Sequence, residues 1–206
     1  MATSETSIAN LALQKLGADR ITSLDQNHPN AREMNAAYSA MRDLELRSYR
    51  WNFAKKRAAL TAHATSPASD SGFAYAYPLP SDYLRLLAAN ESNLYDGDNS
   101  VDWKIEQHEG VRCILTNWSN MDIVYIAQIT DPAQFDAAFV ELLACRLALQ
   151  CCERLTQSNT KRQLSQREYD DARRNARHVN AFENIPTRSL EDSWYTVRKT
   201  GVWGRN

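Results

Sequence analysis

The segment Trp51-Asn52-Phe53-Ala54-Lys55-Lys56-Arg57, followed by Tyr75-Ala76-Tyr77-Pro78-Leu79-Pro80-Ser81-Asp82, most constrains what this chain can fold into. It marks the point where hydrophobic spacing changes from helical to strand-like. Before it, apolar residues recur every three or four positions; after it, they begin to alternate. Two aromatics sit at the joint. Pro78 and Pro80 bracket an extended stretch, because a residue before proline avoids the helical region. Trp51, Phe53, Tyr75, Tyr77, Pro80 and Asp82 therefore read as a structural corner, without the form of a catalytic motif.

Two helices are expected before the corner. Ser4 or Thr6 can cap the first, with Ile8, Leu11, Ala12 and Leu16 as its apolar stripe and Gly17 suited to its left-handed end. The second runs from about Asn30 to Ser48, after His28-Pro29. Its apolar positions are Met34, Tyr38, Met41 and Leu44, while Arg32, Glu33, Arg42, Asp43 and Arg47 form a solvated or intersubunit face.

Two further helices follow the middle of the chain. Asp131 as N-cap and Pro132 as first helical residue predict a long helix to Leu155, about 36 Å in length. Ala138, Leu142, Cys145, Leu149 and Cys152 make a heptad-like seam, widened by Phe135, Phe139, Leu143 and Leu147. A helix apolar over so much of its surface is central. The last helix spans about Asn159 to Val179, with a narrow stripe of Tyr169, Ala172, Ala176 and Val179 on an otherwise charged surface. It reads as an outer helix on the central one.

Between them, Val101, Trp103 and Ile105 alternate with Asp102, Lys104 and Glu106, a strand with one wet face. Gln107-His108-Glu109-Gly110 turns it into a second strand, Val111–Thr116. Asp122–Ile129 is a third; Ala58–Ala62 and Tyr83–Ala88 are weaker strands. The polar residues 63–72 and 95–100 read as a loop and a turn. The expected fold class is α+β, mainly α: a four-helix bundle with an inserted small antiparallel β-domain and an extended C-terminal arm. Residues 1–56 and 130–179 form the bundle, 57–129 the insert and 180–206 the arm. The arm carries Phe182, Trp194, Tyr195, Val197, Val202 and Trp203, too aromatic for a solvated tail, so it reads as a docking segment.

Composition narrows function mainly by exclusion. A net charge of −1 gives no bulk attraction to nucleic acid or anionic membrane. The N-terminal residues show neither a signal peptide nor a membrane span, which implies synthesis in a cytoplasm. Cys113, Cys145, Cys151 and Cys152 match no zinc spacing and read as reduced, buried thiols. His28, His63, His108 and His178 lie in unrelated contexts. With six glycines there is no phosphate-binding loop, and no Gly-x-Ser-x-Gly elbow is present. Asp170/Asp171 and Glu106/Glu109 are carboxylate pairs, the first on a charged helix face suited to ion pairing. Lys55-Lys56-Arg57 and Arg173, Arg174, Arg177 are basic runs without the interleaved aromatics of a single-strand binder. No catalytic, metal or cofactor site is expected.

Taken in order, several motifs resemble one family. They are Asn10-Leu11-Ala12-Leu13-Gln14-Lys15-Leu16-Gly17, Met41–Arg47, Trp51-Asn52-Phe53-Ala54, and Tyr75, Tyr77, Leu79, Pro80 and Asp82. Val124-Tyr125, Asp131-Pro132 with Phe135, Glu141–Ala148 and Glu191-Asp192-Ser193-Trp194 complete the set. Over some 190 residues of this 206-residue chain, the set resembles the head-to-tail adaptor of short-tailed bacteriophages, also called tail tubular protein A. One departure is Arg50, where the family has proline before the tryptophan.

The resemblance implies a helical bundle with a small β-domain, assembled as a twelve-fold ring in the virion. The ring joins the portal protein to the tubular tail nozzle, and tail fibres or spikes attach around it. Genomic DNA passes through the lumen without specific binding, and no membrane is involved. The arm is expected to reach the portal, with Phe182, Trp194, Tyr195, Arg198 and Trp203 as anchors. The rival readings are a virion-associated cell-wall hydrolase and a helical DNA-binding module.

Overall fold

The computed structural model describes residues 3–90, 92–93 and 102–183. Within them the fold mixes α and β, with four α-helices and two small antiparallel sheets. The helices are α1 (Glu5–Leu16), α2 (Pro29–Ser48), α3 (Ala137–Thr156) and α4 (Asn159–Phe182). The strands are β1 (Lys55–Leu60), β2 (Tyr75–Pro78), β3 (Tyr83–Ala89), β4 (Ser92–Asn93), β5 (Trp103–His108), β6 (Val111–Thr116) and β7 (Met121–Ala127). The expected turn at 95–100 and the arm residues from 184 onward lie outside the described residues.

Local chemistry sets the helix ends. Ser4 and Ser7 form a reciprocal capping box at α1, and Gly17 closes it with φ of 68°. Asn10, the first residue of the Asn-x-Ala-Leu motif, grips the loop beyond. Its amide donates to the Ile21 carbonyl at 2.9 Å and accepts from the Ile21 N–H at 2.8 Å. His28 caps α2 through Nδ1, with Pro29 in the first turn.

Helix α3 begins later than expected. Asp131 caps only a short 3-10 turn, Pro132–Gln134, and Asp136 caps α3 itself by accepting from the Ala138 N–H at 2.8 Å. The break leaves Phe135 extended, where its ring meets those of Phe53 and Phe139. At twenty residues α3 is about 30 Å long. It packs against α1, α2 and α4, and Phe139, Leu142, Leu143, Cys145, Leu147 and Cys152 are buried along it.

The phase of the stripes on the other three helices differs from expectation. On α1, Leu11 is exposed and Leu13 buried. On α2, Leu44 is 47% exposed, whereas Arg42 and Glu45, assigned to an outward face or to none, are buried. Continuing from Met34 and Tyr38 by four and three residues reaches 42 and 45 rather than 41 and 44, so two polar residues point inward. On α4, Val179 is exposed and Asn180 buried.

The first sheet has the order β1-β7-β3-β4 and the second β2-β6-β5. Glu109 and Gly110, with φ of 48° and 80°, make the two-residue turn between β5 and β6. The first sheet leans on α2. Gln128, just past β7, donates to the Asp43 carboxylate at 2.6 Å, and Arg85 Nη1 donates to the last-turn carbonyl of Arg47 at 3.3 Å. Arg112 of β6 lies over the Tyr83 ring of β3, joining the sheets. One hydrophobic cluster runs from α1 through α3 into both sheets, and a smaller one groups Ala76, Cys113 and Leu115.

Trp51 is the largest wholly buried side chain in this core. Trp51→Ala should cost about 3–5 kcal/mol of stability, read from chemical denaturation, because it leaves a cavity and removes an indole hydrogen bond. Leu44→Ala, on an exposed position expected from sequence to be core, should change stability by less than about 0.5 kcal/mol.

Candidate functional site

The corner is built from the end of α2 outward. After Ser48 the backbone turns extended at Tyr49, and Trp51 drops into the core, 1% exposed. Its indole N–H donates to the Glu45 carbonyl at 2.8 Å, so the last turn of α2 holds it. Its ring meets Phe139 edge-on at 5.1 Å, and Phe53 meets both Phe135 and Phe139. Two of the motifs quoted above thus converge in one aromatic cluster, and Phe139 lies just ahead of a third, Glu141–Ala148.

Glu45 is 2% exposed and is the hub behind that cluster. Its carboxylate accepts from Tyr169 Oη at 2.8 Å and lies 3.7 Å from Arg146 Nε. The Arg146 guanidinium also covers the Tyr169 ring at 5.3 Å. One carboxylate therefore ties α2 to α3 and α4. Burial, then the neighbouring Glu45 charge, raises the Tyr169 hydroxyl above its ordinary pKa, so it stays a donor.

The root of the arm is fixed to the same corner. Asn180 is buried at the end of α4. Its Oδ1 accepts from the Asn52 N–H at 2.8 Å and its Nδ2 donates to the Arg50 carbonyl at 3.2 Å. In return Asn52 Nδ2 donates to the Asn180 carbonyl at 2.8 Å and to Glu183 Oε2 at 3.4 Å. Arg177 stacks over Tyr49 at 5.0 Å. Beyond this clamp Phe182 is 76% exposed, its ring edge on His178 at 4.6 Å. Of the expected arm anchors, Phe182 is placed here; Trp194, Tyr195, Arg198 and Trp203 lie outside the described residues.

The remaining corner residues form a second station. The Pro80 carbonyl accepts from the Tyr83 N–H at 3.0 Å, closing the turn that carries Asp82. Asp82 accepts from Lys56 of β1 at 2.7 Å and from Tyr125 of β7 at 3.0 Å. Burial alone would raise the Asp82 carboxyl, but the hydrogen bonds from Lys56 and Tyr125 and the Lys56 charge outweigh it and hold the group below its ordinary range. Tyr125 is pushed up to about 12 by burial and by Asp82. Tyr77 is buried in β2 and donates to the Trp118 carbonyl at 2.9 Å; Tyr75 beside it is 37% exposed. The structure thus joins Trp51 with Phe53, and Asp82 with β1 and β7, while Tyr75 and Tyr77 sit in the other sheet.

Positive charge gathers where β1 begins. Burial, then Arg50 and Arg57, depresses the Lys55 amine below its ordinary pKa. Next to it a groove of about 330 Å³ opens on the outer face of the first sheet, lined by Arg57, Ala58, Ala59, Asn90, Asp122, Ile123 and Val124.

The four cysteines are buried and unpaired. Burial pushes the Cys145 and Cys151 thiols up to about 11. Among the described residues, no three His, Cys, Asp or Glu side chains converge to hold a metal ion, and no helix is long and apolar enough to cross a membrane.

Sequence reading missed Glu45, Asn52 and Asn180. Glu45 carried a signal, since it falls on the extended Met34–Tyr38 stripe. Asn180 carried none, because its partners are about 130 residues away. The chain matches no protein-family model, and no curated protein matches it at a significant level.

Two outcomes follow from this geometry. Asn180→Ala strands the Asn52 N–H and the Arg50 carbonyl, so it should cost about 1–3 kcal/mol and raise amide exchange over residues 176–182, whereas Phe182→Ala should be nearly neutral in melts. Asp82 has a folded pKa below its unfolded value, so its contribution is complete above the unfolded value of about 4 and is lost as pH falls through the lower folded one. Stability measured from pH 6 to 2 should therefore decline less steeply in Lys56→Gln, which weakens that depression.

Proposed function

We propose that this chain is a structural adaptor of a short-tailed phage virion, forming a twelve-fold ring between the portal protein and the tail nozzle. The reading rests first on the ordered motifs that resemble the adaptor family. The observation that carries it further is where those motifs lie. Trp51-Asn52-Phe53-Ala54 and Asp131-Pro132 with Phe135 meet in one aromatic cluster with Phe139, two residues before the long-helix motif, and the root of the C-terminal arm is clamped onto the first of them. Under this reading the four helices act as a bundle, the sheets as a projecting β-domain, and residues 180–206 as the portal-docking arm.

The function is mechanical. Copies of the chain extend the DNA conduit, seal the packaged head and present a surface for the nozzle and the fibres or spikes. No chemistry is required of any side chain. On this reading the arm orders on meeting the portal, so its ordering cost is met on the partner. The free protein is then monomeric and the portal templates the ring. The protein is made in the host cytoplasm and works in the virion at the head-tail junction.

The test is to mix purified protein with portal-containing heads and image the product by electron microscopy. Twelve copies seated under each portal, with monomer alone in the unmixed sample, is the expected result. Stable rings without portal would contradict templating, and failure to seat on portals would contradict the adaptor reading itself.

A further inference from the structure

We propose that protonation of His63 releases residues 64–71 from the hairpin of β5 and β6, so that this segment between β1 and β2 opens in acid.

In the sequence His63 and His108 lie in unrelated contexts. The fold brings their rings together edge to face, with 5.1 Å between centroids. Between them they take both backbone groups of Thr65. His63 Nδ1 accepts from the Thr65 N–H at 3.2 Å, and His108 Nε2 donates to the Thr65 carbonyl at 3.1 Å. Two imidazoles thus hold the start of the segment against the hairpin.

The two bonds respond differently to a proton. An imidazole nitrogen accepts only while it is bare, and in the charged ring both nitrogens are donors. His108 keeps its Nε2–H in either state. His63 must be neutral, with its proton on Nε2, to accept from Thr65. Charging it sets an Nδ1–H against the Thr65 N–H and removes that contact. Glu109 Oε2 lies 4.0 Å from His63 Nε2, so the charged ring has a partner in place of Thr65. A second positive ring on His108 would repel the first.

Other titratable groups on that side, among the described residues, are Glu106, Cys113 and Asp70. Glu106 shares a face of β5 with His108 and is paired with Lys104; Cys113 stands opposite it on β6, its thiol pushed up by burial and therefore neutral. Asp70 is the charged side chain of residues 64–71. Carboxyl groups ordinarily titrate near about 4 and imidazoles near about 6.5, so a step from pH 7.5 to 5 acts on imidazoles first.

The ends of the segment are fixed by groups that do not titrate. The His63 N–H donates to the Ala76 carbonyl at 2.7 Å. Asn117 holds the other end, accepting from the Ala74 N–H at 2.9 Å and donating to the Gly72 carbonyl at 3.3 Å. Gly72, with φ of 75°, supplies the left-handed residue there. Opening is therefore confined to residues 64–71, hinged at His63 and Gly72, while β2 stays paired with β6.

Amide exchange of Thr65 in the full-length protein, read by NMR relative to its intrinsic rate at each pH, tests this. From pH 7.5 to 5 the wild type should lose about fivefold in protection, the worth of one hydrogen bond, with the β6 amides unchanged. His63→Asn places an amide oxygen where Nδ1 stands and cannot take up a proton, so its Thr65 protection should be equal at both pH values. An unchanged wild type, or an equal loss in His63→Asn, would overturn the proposal. If the asparagine variant lacks the turn at pH 7.5, the imidazole 15N spectrum of the wild type decides. Protonation of His63 Nδ1 must then coincide with the loss at Thr65, and a protected Thr65 beside a protonated Nδ1 would overturn it.

Discussion

Glu45 is the constraint on which the corner depends. Its backbone carbonyl takes the Trp51 indole, and its carboxylate takes the Tyr169 hydroxyl beside Arg146. Taking a carboxylate out of water is costly, and a buried ion pair by itself is weak evidence of stability. Here the carboxylate's cost is offset by the Tyr169 hydroxyl at 2.8 Å, the Arg146 guanidinium at 3.7 Å and the Ser48 hydroxyl at 3.5 Å. One residue sets how α2, α3 and α4 meet and also where the chain turns into the sheet. An apolar residue in its place could pack, but it could not orient Tyr169.

From that point the architecture follows in order. Trp51 seated on Glu45 places Asn52, and Asn52 receives Asn180 from the far end of α4. A 3-10 turn, Asn52–Ala54, then leads into β1, whose Lys56 meets Asp82, and Asp82 meets β7 through Tyr125. Helices, first sheet and arm root are therefore joined by a short chain of specific contacts in addition to the hydrophobic cluster that the helices and sheets share. On the proposed adaptor reading, this is the part of the molecule where a load between the ring body and the arm would pass.

Much of this was legible in the sequence where the signal is local. Gly17 ending α1, Pro29 opening α2, the seam of α3 and the alternation around Trp103–Ile105 all depend on near neighbours. The misses share a cause. The choice between Asp131 and Asp136 as the cap of α3 depends on Phe135 reaching Phe53, about 80 residues earlier in the chain. The inward turn of Arg42 and Glu45 depends on Arg146 and Tyr169 being there to meet the second of them. Asn180 reads from sequence as the first residue of the extended docking arm, because its hydrogen-bond partners belong to the distant corner. The corner reads from sequence as one unit; in the fold it divides into an aromatic station at Trp51 and Phe53 and a carboxylate station at Asp82, with Tyr75 and Tyr77 in the neighbouring sheet.

The central claim is that Glu45, Trp51, Asn52 and Asn180 form one cooperative unit. Native-state amide exchange across increasing denaturant measures this most directly. The account expects the amides of residues 52–55, 139–146 and 176–180 to merge onto a single opening free energy. If residues 176–180 instead opened at much lower free energy than 139–146, the arm root would be a frayed helix end and the account would be wrong.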